Sequence, residues 1–181
     1  QYSPWKSGSY NYPSETQDKS MNNLTSDIIT PMTNSEFLNK LIDWANSKDS
    51  IRMLLQTGSH VRNDNTADDL SDFDIEIFVD NIDLYANSNE WIREIDEVWV
   101  CLPLTNSVGD PTRLVIFRDG IKVDFTLNRI QDFDKLVKDQ DRSDLLNRGY
   151  KAILDKDNLA SKLKPAPYKH IPSEKPSQSE F

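Results

Sequence analysis

Asp72 and Asp74 stand two apart in a stretch, Phe73–Val79, whose apolar residues alternate with polar ones. That alternation has the period of a β-strand, and residues i and i+2 of a strand project to one face, about 6.5–7 Å apart. Two carboxylates so placed repel and raise each other's pKa unless a cation lies between them. Hard oxygen donors in this number suit Mg²⁺, which keeps part of its water shell and shares the rest with substrate phosphates. A third acid, Asp124, alternates with Ile121, Val123 and Phe125. It therefore faces away from that strand's apolar side, together with Lys122 and Thr126. If the two strands are neighbours, the three acids can bracket two metal ions about 3.5–4 Å apart, the separation that clamps an in-line phosphoryl displacement. Asp72, Asp74 and Asp124 are thus the candidate metal ligands and catalytic residues.

Gly58-Ser59 follows the apolar run Ile51–Thr57. A glycine there lets a ligand approach the backbone, and the adjoining N–H groups and the Ser59 hydroxyl suit phosphate oxygens. Gly58, Ser59 and the adjacent His60 are the candidate nucleotide-binding residues. Neither a Walker loop nor a dinucleotide fingerprint occurs. Each feature has a plainer reading. Gly-Ser after a strand is usually a turn, Asp-x-Asp on a strand is usually a solvated face, His60 suits an ordinary surface loop, and Asp124 could pair with Lys122 or Arg113. Glu76 shares the Asp74 face but lies a step further along, and takes a structural reading. Arg113, Arg118 and Lys122 fit either triphosphate neutralisation or exposed strand positions. The joint occurrence carries the weight: Gly-Ser after one strand, Asp-x-Asp opening the next, and a lone Asp within a later one.

The elements that must position these residues are legible in outline. Thr33 and Glu36 form a capping-box pattern ahead of Phe37, Leu38, Leu41, Ile42, Trp44 and Ala45, a helix of about three turns. Ile51–Thr57 reads as a buried strand, residues 60–71 as a loop and Phe73–Val79 as a strand. Asn87 and Glu90 offer a second capping box before Trp91, Ile92 and Ile95. Arg113–Phe117 and Ile121–Leu127 flank Asp119-Gly120, a strong hairpin signal. Residues 130–137 lean helical, and 144–154 read as mixed. Residues 1–31 lack sustained periodicity and read as a poorly ordered extension. From Pro165 the chain becomes a Pro-containing polar connector.

Composition narrows the partners. Among 181 residues, 30 acidic groups face 21 basic ones, for a formal net charge of −9. Such a surface repels nucleic acid and anionic membranes and favours cationic partners, although solubility alone accounts for a negative charge. No run approaches the roughly 18 apolar residues of a membrane helix. A single cysteine, Cys101, forms no internal disulfide, and a cytoplasmic location is expected.

Gly58-Ser59, the run from Leu70 through Ile75 and the run from Phe117 through Leu127 together resemble the aminoglycoside 6-adenylyltransferase (streptomycin adenylyltransferase) family of the nucleotidyltransferase superfamily. Residues 153–157 are similar to that family's Leu-Leu-Asp-Lys-Asp-Gly segment, and the tail from Pro165 to its connector. The likeness spans about residues 32–181. It implies an α+β, polymerase-β-like fold: a mixed sheet flanked by helices, with the helices on one side. It also implies transfer of AMP from Mg-ATP to a hydroxyl of a cationic, streptomycin-like aminoglycoside, an antibiotic-resistance activity. Asp72 and Asp74 would hold Mg²⁺; Asp124 would hold a second ion and take the hydroxyl proton. The family usually has Arg where this chain has His60, and Gly where it has Asn158. Residues 32–164 are expected to form the catalytic domain and 165–181 the connector to an absent helical second domain. That domain helps hold the acceptor in the family, so this chain alone is expected to bind Mg-ATP and turn over aminoglycoside poorly. The alternative is a non-catalytic, antitoxin-like nucleotidyltransferase module that acts through a protein partner.

Overall fold

In the computed structural model the described residues are 32–62, 71–140 and 144–168, with 144 and 145 described by backbone alone. The extension at 1–31, most of the loop at 60–71 and the connector beyond residue 168 lie outside them. Helix α1 (Asn34–Asn46) begins where the capping box places it. The Thr33 side chain accepts the Glu36 N–H, and the Glu36 carboxylate accepts the Thr33 N–H at 2.8 Å. Strand β1 (Ile51–Thr57) and strand β2 (Phe73–Val79) follow, then two single-turn helices, α2 (Asp83–Ala86) and α3 (Glu90–Arg93). Strands β3 (Val98–Thr105), β4 (Pro111–Phe117) and β5 (Lys122–Arg129) come next. Helices α4 (Phe133–Lys138) and α5 (Asp144–Arg148) lead to β6 (Lys151–Asp155).

The six strands form one mixed sheet in the order β3-β4-β5-β2-β1-β6, giving the α+β architecture expected. Every pairing is antiparallel except β2 with β5. A parallel pair needs a long crossover, and here α2, α3 and the β3–β4 hairpin fill it. The larger core lies on one face. Phe37, Leu41 and Trp44 of α1 meet Phe73, Ile75 and Ile77 of β2 and Val123, Phe125 and Leu127 of β5. Helices are not confined to that side. Phe133 of α4 and Leu146 of α5 cover Met53, Leu55 and Phe78 on the opposite face. This second layer leaves the β5 and β4 end of that face open.

One further sequence expectation changes, and strand β3 was not foreseen. The second capping box does not form. Asn87 closes α2 in right-handed helical backbone, whereas an N-cap needs extended backbone. The Glu90 N–H is instead accepted by Ser88 Oγ at 3.1 Å, and Asn89 Oδ1 is occupied by Arg113 Nε at 2.6 Å. Strand β3 gave no alternating signal because none of its residues is fully buried on either face. Trp99, Leu102 and Leu104 are exposed, and it carries Pro103, which edge strands tolerate.

Candidate active site

Strands β2 and β5 run parallel and in register, Phe73 beside Val123, Asp74 beside Asp124 and Ile75 beside Phe125. Neighbouring strands lie about 4.8 Å apart, so the Asp74 and Asp124 backbones are adjacent and their side chains share one face. The cause is local. Each aspartate sits between two core residues, Phe73 and Ile75 or Val123 and Phe125, that are at most 2% exposed. Burying those aromatic and aliphatic groups, about 1.5–3 kcal/mol apiece, turns the intervening carboxylates outward to the open face. On the other side of β2, Thr57 of β1 stands directly opposite Asp74.

Gly58 comes next and is closer to the acids than a phosphate cradle requires. Its backbone has φ 71° and ψ −154°, a region essentially reserved for glycine. A Cβ added there would fall 1.7 Å from Asp74 Oδ2. The Asp74 carboxylate thus rests in the space that the missing side chain leaves. Ser59 and His60 form the short 3₁₀ turn Ser59–Val61 that follows. The His60 ring stacks on Phe73, centroids 4.3 Å apart and planes nearly parallel. Its Nε2 lies 3.2 Å from the Ser71 carbonyl oxygen. In this position His60 braces the backbone that delivers Asp72 and Asp74, a role its sequence context did not signal.

The electrostatics of the corner are unbalanced. Burial, and then the neighbouring Asp72, raise the Asp74 pKa, while His60 and Arg62 act in the opposite sense. Burial, reinforced by Asp74 and Asp72, pushes Asp124 up to about 6. Further along β2, burial pushes Glu76 up to about 7 although Asn128 Nδ2 donates to it at 2.7 Å. Asp72 is paired with Lys122 at 3.0 Å. Among the described residues no three His, Cys, Asp or Glu side chains stand ready as a closed metal cage. The chemistry of the donor set fits a hard divalent cation: Asp74 and Asp124 lie side by side in register, Asp72 is near enough to raise both, and the missing side chain of Gly58 gives Asp74 room.

Other cations considered from sequence are placed elsewhere. Arg113 is buried on the helical side, where it donates to Asn89 Oδ1 and to the Thr112 and Ala86 carbonyls. Arg118 pairs with Glu97 at 3.1 Å near the β4–β5 turn. Beyond Asn128, at the C-terminal ends of β2 and β5, the same open face carries a cavity of about 400 Å³ whose charged lining is Asp110, Asp132 and Asp139 with Arg129 and Lys135.

Comparison with known proteins adds an independent line. The streptomycin adenylyltransferase family model matches residues 32–181. An aminoglycoside 6-adenylyltransferase of Staphylococcus aureus is 25% identical over 136 residues, covering 71% of this chain and 46% of the relative. One from Campylobacter jejuni is 27% identical over 130 residues, covering 65% and 41%. The crystal structure of an aminoglycoside 6-adenyltransferase from Bacillus subtilis aligns with a TM-score of 0.48 at 16% identity, over 60% of this chain and 39% of that one. The chain spans less than half the length of these relatives.

Proposed function

The chain belongs to the streptomycin adenylyltransferase family, and on that premise we propose that it carries the nucleotide-binding and chemical half of an adenylyltransferase acting on a streptomycin-like aminoglycoside. The observation that carries this reading is the in-register pairing of Asp74 with Asp124, with Asp72 near enough to raise both. Asp72, Asp74 and Asp124 would hold Mg²⁺. When bound, the ion would offset their charge and polarise the phosphates of ATP. Gly58 and Ser59, with His60 bracing their turn, lie where the triphosphate would pass. Asp124, beside Asp74 on the open face, is the acid that would take the hydroxyl proton at its carboxylate. In the step proposed, the acceptor hydroxyl oxygen forms a bond to the α-phosphorus, the bond to pyrophosphate breaks, and the hydroxyl proton passes to Asp124.

An aminoglycoside is an extended polycation. Asp124 and Asn128 are four residues apart on β5, about 13 Å at the rise of a strand. The open face between them, with Glu76 and Asp110 close by, suits an acceptor lying along it with its cationic groups toward the cavity. The test is calorimetric titration with ATP, with and without Mg²⁺, followed by pyrophosphate release in the presence of streptomycin. Mg²⁺-dependent ATP binding is expected, with streptomycin-dependent release that is slow or absent in this chain and rises in a chain extended past Phe181. Failure to bind ATP in Mg²⁺ would overturn the reading and leave the non-catalytic module in its place.

A further inference from the structure

Thr57 ends β1 directly opposite Asp74. Facing residues of an antiparallel pair project to the same side, with Cβ atoms about 5 Å apart. Consistent with this, the preceding pairs on that side, Met53 with Phe78 and Leu55 with Glu76, also share the face opposite the main core. Thr57 is fully buried. Its Oγ1 has no hydrogen-bond partner among the described residues. A hydroxyl withdrawn from water without a partner is unfavourable, and such groups in folded proteins require a reason. The Asp74 carboxylate now rests over Gly58, the residue adjacent to Thr57, so a turn of that side chain brings an oxygen within reach.

We propose that Thr57 is a positioning residue for the metal site: when a divalent cation draws the Asp74 carboxylate off Gly58, one carboxylate oxygen ligates the ion and the other accepts the Thr57 hydroxyl. The Thr57 hydroxyl, which has no partner among the described residues, is then the partner of the metal-ligating carboxylate. Removing it favours the empty form and weakens the filled one. Packing alone predicts no such opposition, because exchanging an unpartnered buried hydroxyl for a methyl group helps folding and leaves binding untouched. The inference rests on the cation-site reading above.

The experiment measures Mn²⁺ affinity by electron paramagnetic resonance and thermal stability without cation, for the wild type, Thr57→Val and Thr57→Ser. Thr57→Val keeps shape and volume. It should hold or raise the melting temperature of the cation-free protein and lower Mn²⁺ affinity about 10–100-fold, the range typical of lost outer-shell partners. Thr57→Ser retains the hydroxyl and should bind Mn²⁺ like the wild type. Equal Mn²⁺ affinity in Thr57→Val and wild type would overturn the inference while the cation site stands. No Mn²⁺ binding by the wild type would overturn both. If Thr57→Val fails to fold, Thr57→Ser against Thr57→Ala repeats the comparison, and equal affinity in that pair is equally fatal.

Discussion

Two Asp-x-Asp triplets lie on this sheet with opposite chemistry. In Asp155-Lys156-Asp157, at the end of β6, every charge is answered. The Asp155 carboxylate accepts the N–H groups of Asp157, Leu159 and Ala160. Lys156 Nζ donates to the carbonyls of Ala45, Asn46 and Lys48 at the C-terminal end of α1, where unpaired carbonyls favour a cation. Asp157 pairs with Arg52, a hydrogen bond that holds its pKa below the usual carboxylate range. In Asp72-Phe73-Asp74 the balance reverses: Asp74 is raised by burial and by its neighbour, and Asp124 beside it is raised further. Both triplets have the same spacing. One is a closed knot that ties β6 to α1 and β1; in the other only Asp72 is answered, by Lys122, and Asp74 with its neighbour Asp124 stays raised. Unmet electrostatic demand, rather than the motif, separates a site from a staple.

The comparison is broken most severely by exchanging the fates of the two triplets. Asp74→Asn should lower Mg²⁺-dependent ATP affinity more than about 100-fold, since even outer-shell partners of a metal cost 10–100-fold. Folding stability should be unchanged or higher, because the substitution removes repulsion and no packing. Asp155→Ala should do the reverse. It removes the acceptor for three backbone N–H groups and should cost about 1 kcal/mol, the scale of a lost helix cap, with ATP affinity intact. Calorimetric binding and chemical denaturation on both variants decide it; equal losses of ATP affinity would erase the distinction.

A second test uses pH. The Asp124 pKa is raised from 3.8 to about 6 in the folded state. Between those values the folded protein binds more protons at this residue than the unfolded chain does. Its contribution to stability therefore falls as pH rises through that window, and the loss is complete above about pH 6. Asp124→Asn removes this slope. Without divalent cation, the variant should melt above the wild type at pH 7.5 and lose that advantage near pH 4. The carboxylate is only half-buried, so screening discounts the effect, and a difference of about 2–4 °C is expected at pH 7.5. Saturating Mg²⁺ should raise the wild type and not the variant. A parallel pair of melting curves across pH would refute the assignment.

The strands that carry the acids were legible because each alternates cleanly between core and open face; β1 and β2 fall at the bounds their residues suggest. The Asp119-Gly120 turn was legible because Gly120 takes φ 94°, as the sequence pattern requires. The parallel partnership of β2 with β5 was expected only conditionally. Nothing local encodes which strands become neighbours across a crossover of some forty residues. Strand β3 was silent because neither of its faces is fully buried. The roles of His60 and Thr57 depend on what lies across the sheet from them, stacking on Phe73 in one case and facing Asp74 in the other. A lone histidine or threonine carries no sequence signal of its cross-strand neighbour.

The finest contrast between the triplets lies one residue past the second. Asn158 follows Asp157 and takes φ 56° and ψ 35°, the left-handed conformation, and it starts the 3₁₀ turn Leu159–Lys162 that Asp155 caps. Glycine enters that region without strain, and asparagine is the residue that tolerates it next best. The departure from the family's glycine at this position is therefore conservative in backbone terms. Asn158→Gly should alter stability by no more than about 0.5 kcal/mol, whereas Asn158→Ala should cost about 1 kcal/mol, since its Cβ meets the following carbonyl without a compensating polar group. Neither should change Mg²⁺-dependent ATP affinity, because the turn serves the satisfied triplet. Denaturant titration of both variants separates the outcomes. A Gly variant less stable than the Ala variant would mean that the Asn158 side chain, not its backbone, holds the turn, and that the knot extends one residue further than its hydrogen bonds indicate.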